Sequence, residues 1–277
     1  MKYGRYLFFL VLCYTNLVFS FGQPPANYYD SAEGQCGITL QAALYEIICD
    51  HKVVTYASLW QHFHITDCRN DTIIDIYSSD SSGSAGYFFM IHKHQCKSVG
   101  KGEGDSYNRE HLFCQSWFGK NKGAPYSDLF HIYPVDGYIN SVRGNAPFGK
   151  VEDPTRTFSN GSRYGKNCYP ESPGKNALEP ADEYKGDIAR SFFYMATRYL
   201  FEDDDFPTHY PMTCKSQLKP WALDMLIEWH LRDPVSEKER SRNNAVYSIQ
   251  YNRNPFIDYP ELVGMIWGQD SLCPFLP

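Results

Sequence analysis

The sequence predicts an α+β fold, a single mostly helical domain spanning residues 23–277 with a small sheet embedded in it. Three observations lead there. Apolar residues recur at helical spacing in several segments, strand-like runs are few and short, and no Gly/Ser linker, low-complexity tract or internal repeat divides the chain.

Residues 1–22 stand apart from that domain. Lys2 and Arg5 precede an apolar run from Tyr6 to Phe19, with small residues near Ser20 and Gly22, the pattern of a cleaved secretory signal peptide. No later stretch approaches the roughly 18 apolar residues that a membrane-spanning helix needs. The expected product is therefore secreted, extracellular or periplasmic, with no membrane association once the signal is removed, and monomeric. A first helix is predicted where Leu40, Leu44, Ile47 and Ile48 share one face, and another where Ile188, Phe192, Met195 and Tyr199 do so. Asp233-Pro234 reads as a further helix start, an N-cap followed by proline at the first helical position, and Tyr259-Pro260 as the start of a last short helix. Tyr87 to His92 and Leu129 to Tyr133 are the best strand candidates.

Charge and cysteine content bound the function without fixing it. Loss of Lys2 and Arg5 with the signal takes the formal charge from -6 to -8, yet binding of a polyanion depends on the local field. The stretch from Asn140 to Lys175 carries Arg143, Lys150, Arg156, Arg163, Lys166 and Lys175 against Glu152, Asp153 and Glu171. Eight cysteines remain beyond Cys13, an even number that allows up to four disulfides in an oxidising compartment. One of them, Cys114, lies three residues beyond His111, where a bridge would tether the segment leaving that histidine.

The chemistry concentrates in Asn108-Arg109-Glu110-His111, then Asp128-Leu129-Phe130-His131-Ile132-Tyr133-Pro134, Asn140 and Arg143. Glu110 offers a hard oxygen ligand for a divalent cation, and His111 a base that is neutral near physiological pH. Phosphodiester hydrolysis needs both, because negative charge repels the nucleophile and the departing alkoxide needs stabilisation. Neighbouring residues of a strand point to opposite faces, so the pair can converge on one phosphate only at a strand end or a bend. A competing pattern is His62-Phe63-His64 with His92-Lys93-His94-Gln95-Cys96, which contains zinc-type ligands but lacks the usual paired spacing.

Taken with Tyr28 to Gly34, Lys185 to Arg190 and Gln250 to Phe256, these blocks resemble the endonuclease I family, within the His-Me finger or ββα-metal nucleases. The resemblance covers essentially the whole mature chain. It implies a ββα-metal finger in which Glu110-His111 closes the first strand, Asp128 to Tyr133 forms the second and Asn140 lies on the crossing helix. It further implies His111 as general base and Glu110 and Asn140 as ligands of one Mg²⁺, with Mn²⁺ or Ca²⁺ as substitutes. The substrate implied is DNA, with RNA as a second candidate, cleaved with little sequence preference to 5′-phosphate products. Some relatives hold the cleaved phosphate with an arginine between the two finger strands. This chain has Lys120 and Lys122 there instead, which leaves Arg143 as a catalytic candidate and Arg109 and Arg253 as substrate-binding candidates. The alternative from another class is a non-catalytic extracellular protein of the same fold that binds nucleic acid or zinc.

Overall fold

The computed structural model describes residues 23–77, 86–96, 101–119, 123–268 and 275–276. The expected signal segment 1–22 lies outside the described residues, as do Cys13, Lys120, Lys122 and Cys273. In chain order the elements are α1 (Gly37–Ile48), α2 (Leu59–Thr66), β1 (Cys68–Arg69), β2 (Thr72–Ile73), β3 (Tyr107–His111), β4 (Ile132–Asp136) and α3 (Gly137–Arg143). There follow β5 (Pro154–Thr157), β6 (Arg163–Lys166), β7 (Asn176–Glu179), α4 (Lys185–Arg198), β8 (Thr213–Cys214), β9 (Gln217–Leu218), α5 (Pro220–Arg232), α6 (Glu237–Gln250), α7 (Pro255–Asp258) and α8 (Leu262–Trp267). Helices and small sheets are mixed along the chain, as an α+β fold requires.

Helix α4 runs through the core, with every residue from Gly186 to Arg198 buried. Its Ile188, Phe192 and Met195 form the predicted stripe, and each large apolar side chain so buried is worth about 1.5–3 kcal/mol. α1, α5 and α7 pack around it. Its charged residues are compensated: Arg190 Nη2 donates to Glu239 Oε2 at 2.8 Å, Arg198 Nε to His51 Nδ1 at 2.9 Å, and Lys238 Nζ meets Asp187 at 2.7 Å. The Lys-Gly-Asp opening of this helix has a steric reason. Gly186 N donates to Asp233 Oδ2 at 2.8 Å, and a Cβ there would fall 2.1 Å from the Asp233 carbonyl oxygen.

That role of Asp233 corrects the expected helix start at Asp233-Pro234. Asp233 closes α5, and α6 begins instead at Glu237 through a capping box, Glu239 N donating to Ser236 Oγ at 3.2 Å and Ser236 N to Glu239 Oε2 at 2.9 Å. Tyr87 to His92 is not a strand either. Met90 makes only an isolated bridge to Thr72, and His92 sits at φ 65°, which turns the chain. The strand expected from Leu129 begins later, at Ile132, because Asp128 Oδ1 accepts from Phe130 N at 3.0 Å and folds the preceding residues into a turn. The three-stranded sheet β5-β6-β7 was not anticipated.

β3 and β4 pair antiparallel, with Tyr107 opposite Asp136 and His111 opposite Ile132, and α3 follows β4 without a loop. Asp136 makes that junction: its Oδ1 accepts from Tyr138 N at 2.7 Å and Ile139 N at 3.1 Å, capping the helix. Asp75 holds Asp136 N in turn, at 2.9 Å. Gly144 ends α3 at φ 54° and ψ -119°, a conformation that a side chain would strain.

Candidate active site

Alternation along β3 sends Asn108 and Glu110 towards α3, and Arg109 and His111 to the other face. The contacts agree. On the α3 side, Asn140 Nδ2 donates to Asn108 Oδ1 at 2.7 Å, and Arg143 Nη1, one helical turn further on, is ion-paired with Glu110 Oε1. Tyr77 Oη donates to the same Oε1 at 3.0 Å. Glu110 is only 4% exposed, and burial raises its pKa above the ordinary carboxylate value against the pull of Arg143.

The donor set on this side fits a hard divalent cation. With Asn140 Nδ2 turned to Asn108, the carboxamide Oδ1 is its remaining ligand atom, and both side-chain hydrogen bonds to Glu110 fall on Oε1 rather than Oε2. Carboxylate and carboxamide oxygens are the hard ligands that Mg²⁺ favours.

His111 is the last residue of β3, the position the convergence condition demands. Its ring packs among Tyr56 (centroids 5.7 Å), Phe118 (5.8 Å), Tyr126 (5.7 Å) and His131 (5.4 Å), and the residue is 4% exposed. Burial, then the neighbouring His131, holds its pKa well below the ordinary histidine value, so the ring is neutral. Nε2 lies 3.2 Å from the Tyr126 carbonyl oxygen, which fixes the proton on Nε2. Nδ1 then carries the lone pair, and it accepts from Gln115 Nε2 at 3.2 Å.

The remaining candidates separate clearly. Arg143 is 1% exposed, stacks on Phe148 at 4.1 Å, and spends its donors on Glu110, the Leu112 carbonyl (2.7 Å), the His111 carbonyl (3.2 Å) and the Ala146 carbonyl (3.2 Å). Arg253 is not brought to this site. It makes a two-pronged ion pair with Asp258, both contacts 2.7 Å, and among the described residues none of its partners comes from β3, β4 or α3. Arg109 lies on the His111 side, half-buried against Tyr56 and Trp60. Asp128 supports the framework: Tyr194 (2.8 Å), Tyr199 (2.9 Å) and Gln250 (3.1 Å) all donate to it. Among the described residues, the hydrogen-bond partners of Cys114 are not sulfurs. Its Sγ lies 3.3 Å from Arg143 Nη2 and 3.7 Å from the Gly144 carbonyl oxygen, and burial pushes its thiol up to about 11. Cys114 is not disulfide-bonded among the described residues, so the expected bridge there is not seen.

Of the competing zinc ligands, the His64 and His92 rings lie 4.0 Å apart, but among the described residues no three His, Cys, Asp or Glu side chains gather into a metal-binding group. Residues that sequence reasoning missed are Tyr77, Gln115, Tyr56 and the carbonyl of Tyr126. Tyr77 and Tyr56 carry no local signal, whereas Gln115, four residues past His111, is within reach of a helix-like turn.

Comparison with known proteins places the chain in a family. The chain belongs to the Endonuclease I family, which matches residues 36–261. It is 35% identical over 255 residues to the extracellular ribonuclease of Bacillus subtilis (strain 168), covering 87% of this chain and 78% of that protein. The extracellular ribonuclease of Bacillus amyloliquefaciens is 34% identical over 253 residues, with the same coverage of 87% and 78%. Endonuclease-1 of Buchnera aphidicola subsp. Baizongia pistaciae (strain Bp) is 33% identical over 132 residues, 47% of this chain and 46% of that protein. Among the described residues, no helix is long and apolar enough to cross a membrane.

Proposed function

We propose that the chain is a secreted, metal-dependent endonuclease and that β3, β4 and α3 form its ββα-metal finger. The observation that carries this reading is the division of labour across β3, with oxygen ligands on the α3 side and a neutral imidazole of fixed tautomer closing the strand. Substrates are DNA and RNA. The relatives called extracellular ribonuclease, which align along most of this chain, give RNA a larger place than the sequence motifs alone did.

Glu110 and Asn140 would hold a Mg²⁺ ion or its Mn²⁺ or Ca²⁺ substitute, which would supply neutralisation of charge at the phosphate and at the leaving oxygen. Because Glu110 and His111 leave the backbone on opposite faces, the scissile phosphate sits across the end of β3, where the alternation stops. His111 accepts a proton from the attacking water at Nδ1 while the Tyr126 carbonyl retains the proton on Nε2 and stabilises the imidazolium that forms. Gln115 has to release Nδ1 for this step. Arg143 acts through Glu110, fixing the carboxylate and the carbonyls that follow His111, and is a positioning residue. Attack by water with departure of the 3′ oxygen leaves 5′-phosphate products.

A plasmid and an RNA transcript incubated with the protein, with Mg²⁺ or with excess chelator, test the reading. Nicking or cleavage of at least one substrate with Mg²⁺ and none with chelator is expected. Inertness towards both substrates under both conditions would remove the endonuclease assignment in favour of a non-catalytic binding protein.

A further inference from the structure

Arg109 differs from the other deeply placed arginines of this protein. Arg143, Arg190, Arg198, Arg242 and Arg253 are each paired with a carboxylate. Arg109 has no ion pair among the described residues, although it is half-buried. Its guanidinium lies 3.7 Å from the Tyr56 ring centroid and 4.5 Å from that of Trp60, and Nη1 donates to the Tyr56 carbonyl oxygen at 2.7 Å. The aromatic contacts and one carbonyl therefore hold the group, and among the described residues no carboxylate pairs with it and no hydrogen bond engages its Nε or Nη2. A guanidinium in this state is prepared for a planar, two-pronged contact with a phosphate or carboxylate.

The same aromatic residue ties Arg109 to the general base. Tyr56 stacks near the His111 ring with centroids 5.7 Å apart and an interplanar angle of 26°, and lies 4.4 Å from the ring of Tyr126, whose carbonyl fixes the His111 tautomer. Ser127 Oγ, the next residue, donates to the Val54 carbonyl at 2.6 Å and anchors the Tyr56 segment to the Tyr126 turn. A bound anion at Arg109 is thus held at a fixed offset from His111 by one segment of chain.

We infer that Arg109, positioned by Tyr56 and Trp60, is a phosphate-binding subsite on the His111 face of β3 that grips a backbone phosphate of the substrate strand. This rests on the endonuclease reading and supplies a cation from the strand itself where the segment between His111 and Asp128 has only lysines. Tyr56 and Trp60 are positioning residues; the phosphate contact belongs to Arg109.

The test measures anisotropy of a fluorescent single strand, as DNA and as RNA, bound in chelator, across a salt series, beside cleavage with Mg²⁺. Arg109→Gln keeps a donor for the Tyr56 carbonyl but removes the charge; it is expected to weaken binding about tenfold or more and to raise KM more than it lowers kcat. The slope of log affinity against log salt should become shallower by about 0.7, the share of one phosphate on a single strand. Arg109→Lys should recover the salt slope without the full affinity. Tyr56→Ala should weaken binding while Tyr56→Phe, which keeps the ring, behaves as the parent. Unchanged affinity and salt slope in Arg109→Gln, with a parent protein that cleaves, would overturn the subsite alone. A parent protein that neither binds nor cleaves would overturn the endonuclease reading and this inference with it.

Discussion

Arg143 clamps Glu110 from the end of α3, pairing through Nη1 with Oε1 while Nη2 donates to the Leu112 carbonyl at 2.7 Å. The pair lies in the interior, so it sets where the carboxylate points and what the chain does immediately after His111. A buried ion pair contributes modestly when intact, because desolvation offsets attraction, but breaking it is costly.

Arg143→Ala should accordingly destabilise the protein by about 3–5 kcal/mol, since it strands a buried carboxylate. Urea unfolding would read this as a lower midpoint. Unlike Arg109→Gln, a folded Arg143→Lys should leave the salt dependence of nucleic-acid binding unchanged, because Arg143 touches protein and not phosphate. A shallower salt slope in that variant would restore Arg143 as a direct phosphate contact.

Cys114 should be found as a thiol. Its neighbours are a guanidinium and a carbonyl, and burial keeps it protonated, so native protein should resist alkylation there while denatured, unreduced protein accepts it. Mass spectrometry placing Cys114 in a disulfide-linked peptide would contradict this.

Acid should destabilise the fold through its buried histidines. His131 and His230 are both held neutral, their values lowered to about 4 by burial first, with Arg190 adding to the effect on His230. A folded pKa below the unfolded one means that the unfolded chain binds more protons between the two. The stabilising contribution is full above the unfolded value near 6.5 and is lost as pH falls towards about 4, at up to roughly 1.4 kcal/mol per pH unit for each group. Thermal melts from pH 7 to pH 4 should therefore fall steadily. A flat melting temperature down to pH 5 would show that these rings are not buried neutral.

Ser236→Ala should cost about 1 kcal/mol through loss of the α6 capping box, whereas removing the Asp233 side chain should act on the start of α4. Denaturation of the two variants separates these roles. An unperturbed Ser236→Ala protein would mean that α6 does not depend on its cap.

How far these features can be read from sequence depends on the range of the interactions. The placing of Glu110 and His111 at a strand end and of Asn140 on the following helix was legible because their residue types are compressed into one unit, and α1 and α4 were because their apolar stripes are long. Ser236 and Glu239 also carried a local signal, the capping box, which the neighbouring Asp233-Pro234 obscured. By contrast, β5 and β6 are four residues each, and β5 is exposed throughout, so no alternation marks it. The partners that give the site its chemistry were out of reach: Tyr77 meets Glu110 from 33 residues away, and Tyr126 contributes a backbone carbonyl, which has no residue signature. Arg253 shows the converse case, a cation within a recognised motif that the structure pairs with Asp258.

The separation of roles across β3 is tested most directly by cleavage rates measured over a Mg²⁺ titration for the parent, Asn140→Ala and His111→Ala proteins. Asn140→Ala should need more Mg²⁺ to reach half its maximal rate and should recover part of its activity at high Mg²⁺, because it loses one of two protein ligands. His111→Ala should keep the parent midpoint but reach a plateau about 10²- to 10⁴-fold lower, the usual loss when a general base is removed. A folded His111→Ala protein with the parent plateau, or an Asn140→Ala protein with the parent midpoint, would contradict the account.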